Sequence, residues 1–250
     1  NKGLIPWVEA LVGYSEVHYA KFGKPLYSSH MLDLSAEDID FNLSECERLL
    51  KRMTPIGMSL EIELGVTGGE EDGVGSDDDI GADNPLLYTQ PEDCLRAWEL
   101  LSPIGHFSLA ASFGNVHGVY KPGNVKLRPE ILKNSQELVQ ETCSTGDKPL
   151  DLVFHGGSGS DKKKISEALS YGVFKMNIDT DTQFAFAKAV GAYVEENIKA
   201  FKYQIDPEDG TPYKKLYDPR KFLRAGEEGM IKRLDEAFDD LGSVGKSLAQ

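Results

Sequence analysis

The chain has 250 residues, 40% of them hydrophobic and 27% charged, with a formal net charge of -14 at pH 7. That acidic balance excludes a nucleic-acid or anionic-membrane surface, each of which needs a basic face, but leaves room for a phosphorylated small molecule held by a few local cations. Three widely separated cysteines without a Cys-x-x-Cys pair support neither a disulfide scaffold nor a zinc ribbon, and with no basic leader and no apolar run of membrane length a soluble, cytoplasmic protein is expected.

Apolar residues at near-helical spacing predict a helix over 4–22, stopped by Gly23 and Pro25. A strand over 26–31 ends at Asp33, and a helix over 35–53 follows with Ser35 as its cap. Residues 56–64 read as the next strand and 65–85 as a long acidic loop. A helix over 91–101, a strand over 107–113 and a helix over 129–145 come next. Strands over 150–154 and 173–178 flank a helix opening at Asp161, and a helix begins at 181. A polar Pro/Gly stretch, 206–219, precedes the last helix, 219–241.

Strict alternation of strand and helix means a parallel sheet, doubly wound or closed as a barrel. Each strand is followed by its most polar residues, and a (β/α)8 barrel keeps its active site at those C-terminal strand ends. The reading is therefore a single (β/α)8 TIM barrel domain over 1–250, α/β in class, with 65–85 as a lid loop and 206–250 as a C-terminal arm and helix. Five strands cannot close such a barrel, so the chain is expected to hold its last five βα units and to lack the first three.

The stretch Leu150 to Asp161 organises the chain: an apolar run ends at His155 and passes into Gly156, Gly157 and Ser158. Glycines there can take positive φ and expose bare N–H groups to an anion, beside the positive end of the next helix. The strand tips supply Asp33, Glu63, His117 and His155. Imidazoles with carboxylates suit zinc. Strand alternation puts Glu61 and Glu63 on one face, where buried acids need a partner; a metal and a lysine are both open as that partner. In the long loop, Glu70, Glu71 and Asp72 lie between glycines, as a lid that delivers a carboxylate would require. The junction Asn177, Ile178, Asp179, Thr180 can complete a phosphate site or simply cap a helix. Lys214, Lys215, Arg220 and Arg224 form the one basic cluster, fit for a second phosphate, a partner subunit or plain solvation. Lys175, on a strand, raises a Schiff-base route; the two histidines and their carboxylates favour a metal.

These motifs together resemble class II, zinc-dependent fructose-bisphosphate aldolases of fungal and bacterial type. The resemblance rests on Ser28-Ser29-His30-Met31, Leu60-Glu61-Ile62-Glu63-Leu64-Gly65, residues 67–73, Ala111-Ser112-Phe113-Gly114-Asn115-Val116-His117-Gly118, residues 154–160 and 175–182, and Tyr217-Asp218-Pro219-Arg220. It implies a homodimeric lyase that cleaves fructose 1,6-bisphosphate reversibly to dihydroxyacetone phosphate and glyceraldehyde 3-phosphate in glycolysis and gluconeogenesis. By the same resemblance His117 and His155 would bind a catalytic Zn2+, and Asp33 and Glu63 a second metal position. Glu71 would move the proton next to the ketone. Gly118, Gly156, Gly157, Ser158, Asn177, Ile178, Asp179 and Thr180 would hold the dihydroxyacetone phosphate half, with Arg220 on the other phosphate. Carbonyls of Val116, Gly118 and Gly156 would hold a monovalent cation, Na+ or K+. The family's third-strand Asp-His pair has no counterpart in the chain. The rival readings are a tagatose-bisphosphate aldolase and a catalytically incompetent phosphate-binding fragment.

Overall fold

The computed structural model describes residues 2–69, 87–118 and 126–248, and the chain separates into two compact units, Asn1–Asn177 and Ile178–Gln250. Among the described residues no helix is long and apolar enough to cross a membrane.

The first unit begins with a 3-10 turn, Lys2–Leu4, and α1, Ile5–Phe22. There follow β1 Ser29–Leu32, α2 Ile39–Met53, β2 Ser59–Leu64, β3 Gly68–Gly69, α3 Pro91–Leu101, β4 Phe107–Ala111 and β5 Val116–His117. α4 Glu130–Cys143, β6 Leu152–Phe154, α5 Lys162–Ser170 and β7 Val173–Met176 complete it. Each expected strand and helix of this unit is present, with ends that shift by up to four residues. The cap of α2 is Asp38, which accepts from Asp40 N at 2.9 Å. Ser35 does not serve, because its hydroxyl and its N–H both donate to Asp33 Oδ1, at 2.6 and 3.1 Å. Asp161 does cap α5, accepting from the N–H groups of Lys163 and Lys164.

Five strands form one parallel sheet in the order β1-β2-β4-β6-β7. The α/β class and the parallel sheet are as expected; among the described residues this sheet is open, with β1 and β7 at its edges, and no barrel is closed. The remaining short ladder joins β3 to β5, also in parallel.

Register explains the two faces. In parallel strands aligned residues share a face, so Glu61 lies beside Ser108, Glu63 beside Ala110, Ala110 beside Val153, and Val153 beside Lys175. The opposite face carries Leu60, Ile62, Leu109, Leu152 and Phe154, all fully buried. On that face α2 packs against β2, and α3 lies between α2 and α4. Leu43, Leu49, Leu50 and Met53 of α2 belong to this core, as do Leu101 and Leu132. Small residues on β4, Ser108 and Ala110, leave room on the first face for the long acids of β2.

That face is concave. Lys175 Nζ reaches Glu61 Oε2 at 2.7 Å although β4 and β6 lie between their strands. Three strand spacings are about 14 Å, and side chains stand roughly perpendicular to a sheet, so on a flat sheet these groups would stay apart. The contact requires the sheet to curl toward the Glu61 side.

The second unit is helical: α6 Thr180–Glu196, α7 Ile198–Lys202, α8 Lys214–Tyr217 and α9 Pro219–Asp240. α6 and α9 pack along each other, and Gly229 lets them approach, since a Cβ there would stand 2.7 Å from Ala189 Cβ and 2.6 Å from Ala185 O. The polar stretch before α9 turns around buried Asp206, which accepts from Glu208 N at 2.8 Å and from the Tyr213 hydroxyl. Asp218 caps α9 and Pro219 opens it, as Pro at a helix start should.

Candidate active site

β2 brings two carboxylates to the concave face near its C-terminal end, and both are buried: Glu61 is 7% exposed and Glu63 4%. Strand alternation carries one step past Phe154 of β6 to put His155 on the same face, 4% exposed. Its imidazole lies between the two acids, Nε2 at 2.9 Å from Glu61 Oε1 and Nδ1 at 3.2 Å from Glu63 Oε2. Burial alone would depress the His155 pKa, but hydrogen bonds and charge from Glu61 and Glu63 overcome it and raise the pKa to about 9. Burial pushes Glu61 up, yet His155 and Lys175 together hold it below the ordinary carboxylate range. The remaining acid oxygens are taken too: Lys175 Nζ donates to Glu61 Oε2 and Thr67 Oγ1 to Glu63 Oε1 at 2.8 Å. A buried imidazolium between two carboxylates, each with a second partner, satisfies the cost of desolvating charge. Of the two acids in question, Glu61 has the lysine.

A second element brings His117 to the same place. Asn115 is buried, its Oδ1 accepting from Phe113 N at 2.8 Å and its Nδ2 donating to His155 O at 2.9 Å. This amide ties the β5 segment to the tip of β6, and two residues on, the His117 ring centroid lies 6.2 Å from that of His155. The β2 end is pinned from behind by buried Asn42 of α2, whose Nδ2 donates to Glu63 O at 3.0 Å.

The turn after His155 is built for close approach. Gly156 has φ +61°, and a Cβ there would come within 2.3 Å of Val116 O. A Cβ on Gly157 would come within 2.4 Å of Met176 Cε. Gly157 N donates to Asn177 O at 2.9 Å and Asn177 N to Phe154 O at 2.8 Å, so the ends of β6 and β7 form one ledge, with Ser158 buried behind it. Gly118, after His117, also has positive φ, +80°.

The other expected residues are distributed as follows. Asp33 is exposed just past β1 and turned into its own loop by Ser35. Asp179 precedes α6 in the second unit, its carbonyl accepting from Thr182 N and Oγ1 and its carboxylate from Gln183 Nε2 at 2.7 Å. Ile178 and Thr180 flank it, each half-buried. Arg220, 88% exposed in its side chain, is paired with Asp218 at 2.6 Å. Glu71 lies outside the described residues. Sequence reasoning left Asn115, Asn42 and Thr67 without a role, and for Asn115 a signal existed: a lone amide two residues before a candidate ligand histidine, at a strand end.

Metal-binding chemistry is present in part. Two imidazoles on one tetrahedral zinc, with Zn–N bonds of about 2.0 Å, place their ring centroids about 5 Å apart, so His117 and His155 stand within about 1 Å of that spacing. His155 engages carboxylates through both nitrogens, and among the described residues no group of three or more His, Cys, Asp and Glu side chains is arranged to hold a metal ion. The donor types fit zinc; the described set does not complete its coordination.

Residues 13–246 match the family described as fructose-bisphosphate aldolase class-II. A fructose-bisphosphate aldolase of Campylobacter jejuni is 56% identical over 248 residues, covering 98% of this chain and 69% of the relative. The fructose-bisphosphate aldolase class 2 of Escherichia coli K12 is 52% identical over 246 residues, covering 97% and 68%. The crystal structure of a Campylobacter jejuni fructose-bisphosphate aldolase superposes with a TM-score of 0.84 at 53% identity, over 98% of this chain and 69% of that one. A family match over most of the length, with relatives above half identity, leaves one conclusion: this chain belongs to the class-II fructose-bisphosphate aldolase family.

Proposed function

We propose that the protein cleaves fructose 1,6-bisphosphate reversibly to dihydroxyacetone phosphate and glyceraldehyde 3-phosphate, in a metal-dependent aldol reaction. The observation that carries this reading is the group at the tips of β2, β5 and β6: His155 clamped between Glu61 and Glu63, 6.2 Å from His117 and beside a glycine ledge. The metal of the reading is Zn2+, with His117 and His155 among its ligands and Asp33 and Glu63 serving a second position. His155 would hold it through Nδ1, which faces Glu63 Oε2 at 3.2 Å, while Nε2 keeps the shorter bond to Glu61, as a ligating histidine commonly gives its other nitrogen to a carboxylate. When bound, such an ion polarises the ketone oxygen and stabilises negative charge that develops there.

The chain's own residues do the rest. Gly156, Gly157 and Ser158, with Gly118, Asn177, Ile178, Asp179 and Thr180, hold the dihydroxyacetone phosphate half through backbone N–H groups and short side chains. Arg220 takes the second phosphate. Glu71 removes and returns the proton at the carbon beside the ketone. Carbonyls of Val116, Gly118 and Gly156 hold Na+ or K+; the close approach of Val116 O to Gly156, where a Cβ would stand only 2.3 Å from that oxygen, supports their meeting at one point. The five described βα units are read as part of a (β/α)8 barrel, 1–250 as one barrel domain with a lid at 65–85 and an arm at 206–250, in a cytoplasmic homodimer. The curl that brings Lys175 to Glu61 supports the barrel.

The test is a coupled assay of fructose 1,6-bisphosphate cleavage by the full-length protein, before and after chelation. Loss of turnover on chelation and its return with Zn2+ are expected. Turnover that survives exhaustive chelation would refute the metal-dependent route, and faster cleavage of tagatose 1,6-bisphosphate would reassign the sugar.

A further inference from the structure

The long-range pair Glu61–Lys175 has no part in the chemistry above, yet the chain spans four strands of sheet to make it. Glu61 is buried at the centre of β2 and divides its two oxygens: Oε1 faces His155 Nε2 at 2.9 Å and Oε2 faces Lys175 Nζ at 2.7 Å. Lys175 sits on edge strand β7, half open to solvent, with its side chain 45% exposed. A carboxylate with one partner can rotate about its last bond and carry the imidazole with it. Anchoring the second oxygen removes that freedom.

We propose that Lys175 and Glu61 are a positioning pair for His155: Lys175 fixes the Glu61 carboxylate, and Glu61 fixes the imidazole plane through Nε2. His155 then presents Nδ1 in a single direction. The inference rests on the reading of His155 as a metal ligand. Neither Glu61 nor Lys175 touches substrate in this account, and Lys175 is not a Schiff-base nucleophile.

The experiment compares Lys175→Met, Lys175→Arg, Glu61→Gln and the double variant Glu61→Gln/Lys175→Met in the full-length protein. Three quantities are read: Zn2+ affinity by competition with a fluorescent chelator, kcat and KM at saturating Zn2+, and the melting temperature without metal. Loss of an outer-shell partner typically costs about 10–100-fold in metal affinity or activity, and Lys175→Met is expected at the lower end of that range, in Zn2+ affinity and in kcat, with KM unchanged. Lys175→Arg restores both to within about threefold. Because the two residues act in series, the double variant is no worse than Glu61→Gln alone. Zn2+ affinity within about twofold of wild type in Lys175→Met, or additive losses in the double variant, would overturn the proposal. A purely structural strut would lower the melting temperature and leave affinity and kcat of the folded protein alone, which would also overturn it. His155→Asn separates the two levels: if it leaves Zn2+ affinity intact, the ligand reading fails; if it abolishes affinity while Lys175→Met does nothing, only the positioning proposal fails.

Discussion

On the concave face of the sheet Glu61 meets His155 at 2.9 Å and Lys175 at 2.7 Å; at the start of α9 Arg220 meets Asp218 at 2.6 Å and Arg224 meets Glu228 at 3.0 Å. The bond lengths do not distinguish the two regions. Their surroundings do. Glu61, Glu63 and His155 are nearly sealed from water, so each charge needs its partner and removing one leaves an uncompensated buried charge. The α9 pairs are open to solvent, screened by water and salt, and formed between residues two to four apart on one short stretch. The first region links strands far apart in the chain and can hold a geometry; the second offers exposed cations to a ligand.

Substitutions should separate the regions in order of effect. The largest loss is expected at Gly156, where a side chain would meet Val116 O and the backbone has positive φ. Gly156→Ala should destabilise the protein by about 3 kcal/mol or more and abolish turnover, read by chemical denaturation and the cleavage assay. Asn115→Ala comes next. It leaves Phe113 N and His155 O without their buried partner, and about 2–4 kcal/mol of stability should go, with the His117–His155 spacing no longer fixed. A variant as stable as wild type would show that the Asn115 bridge contributes nothing.

The buried cluster also predicts a pH profile for the metal-free protein. The folded pKa of His155 is raised, to about 9 from 6.5, so its contribution is complete below 6.5 and is lost as pH rises through about 9. That of Glu61 is lowered from 4.5, so its contribution is complete above 4.5 and is lost as pH falls through the folded value. Stability should therefore be greatest between about pH 4.5 and 6.5 and fall on the alkaline side toward pH 9. His155→Asn should flatten the alkaline slope, measured as the denaturant midpoint against pH. The smallest effects belong to α9: Arg224→Ala and Arg220→Ala should leave the melting temperature unchanged, while Arg220→Ala alone raises KM for fructose 1,6-bisphosphate about tenfold or more.

Much of the fold could be read from local pattern. Alternation made Glu61 and Glu63 share a face of β2, and Asp161 announced the start of α5. What escaped depended on contacts between distant segments. Ser35 looks like a helix cap until Asp33 claims its hydroxyl, leaving the cap to Asp38. The β3–β5 ladder joins Gly68–Gly69 to Val116–His117, two-residue strands too short for any periodicity to register. The Glu61–Lys175 pair spans 114 positions and depends on the curl of the sheet, which no residue pattern encodes. His117 and His155 were legible as candidates from their places at strand ends, but the Asn115 amide that sets their spacing became visible only once its two backbone partners were in place.

The most direct test of the account is the turnover of fructose 1,6-bisphosphate by full-length His155→Asn at saturating Zn2+, with the fold verified by its melting transition. If the buried cluster is the catalytic centre, kcat/KM should drop about a thousandfold or more while Arg224→Ala, tested in parallel, stays at the wild-type value. A folded His155→Asn protein that keeps more than about a tenth of wild-type kcat/KM would contradict it.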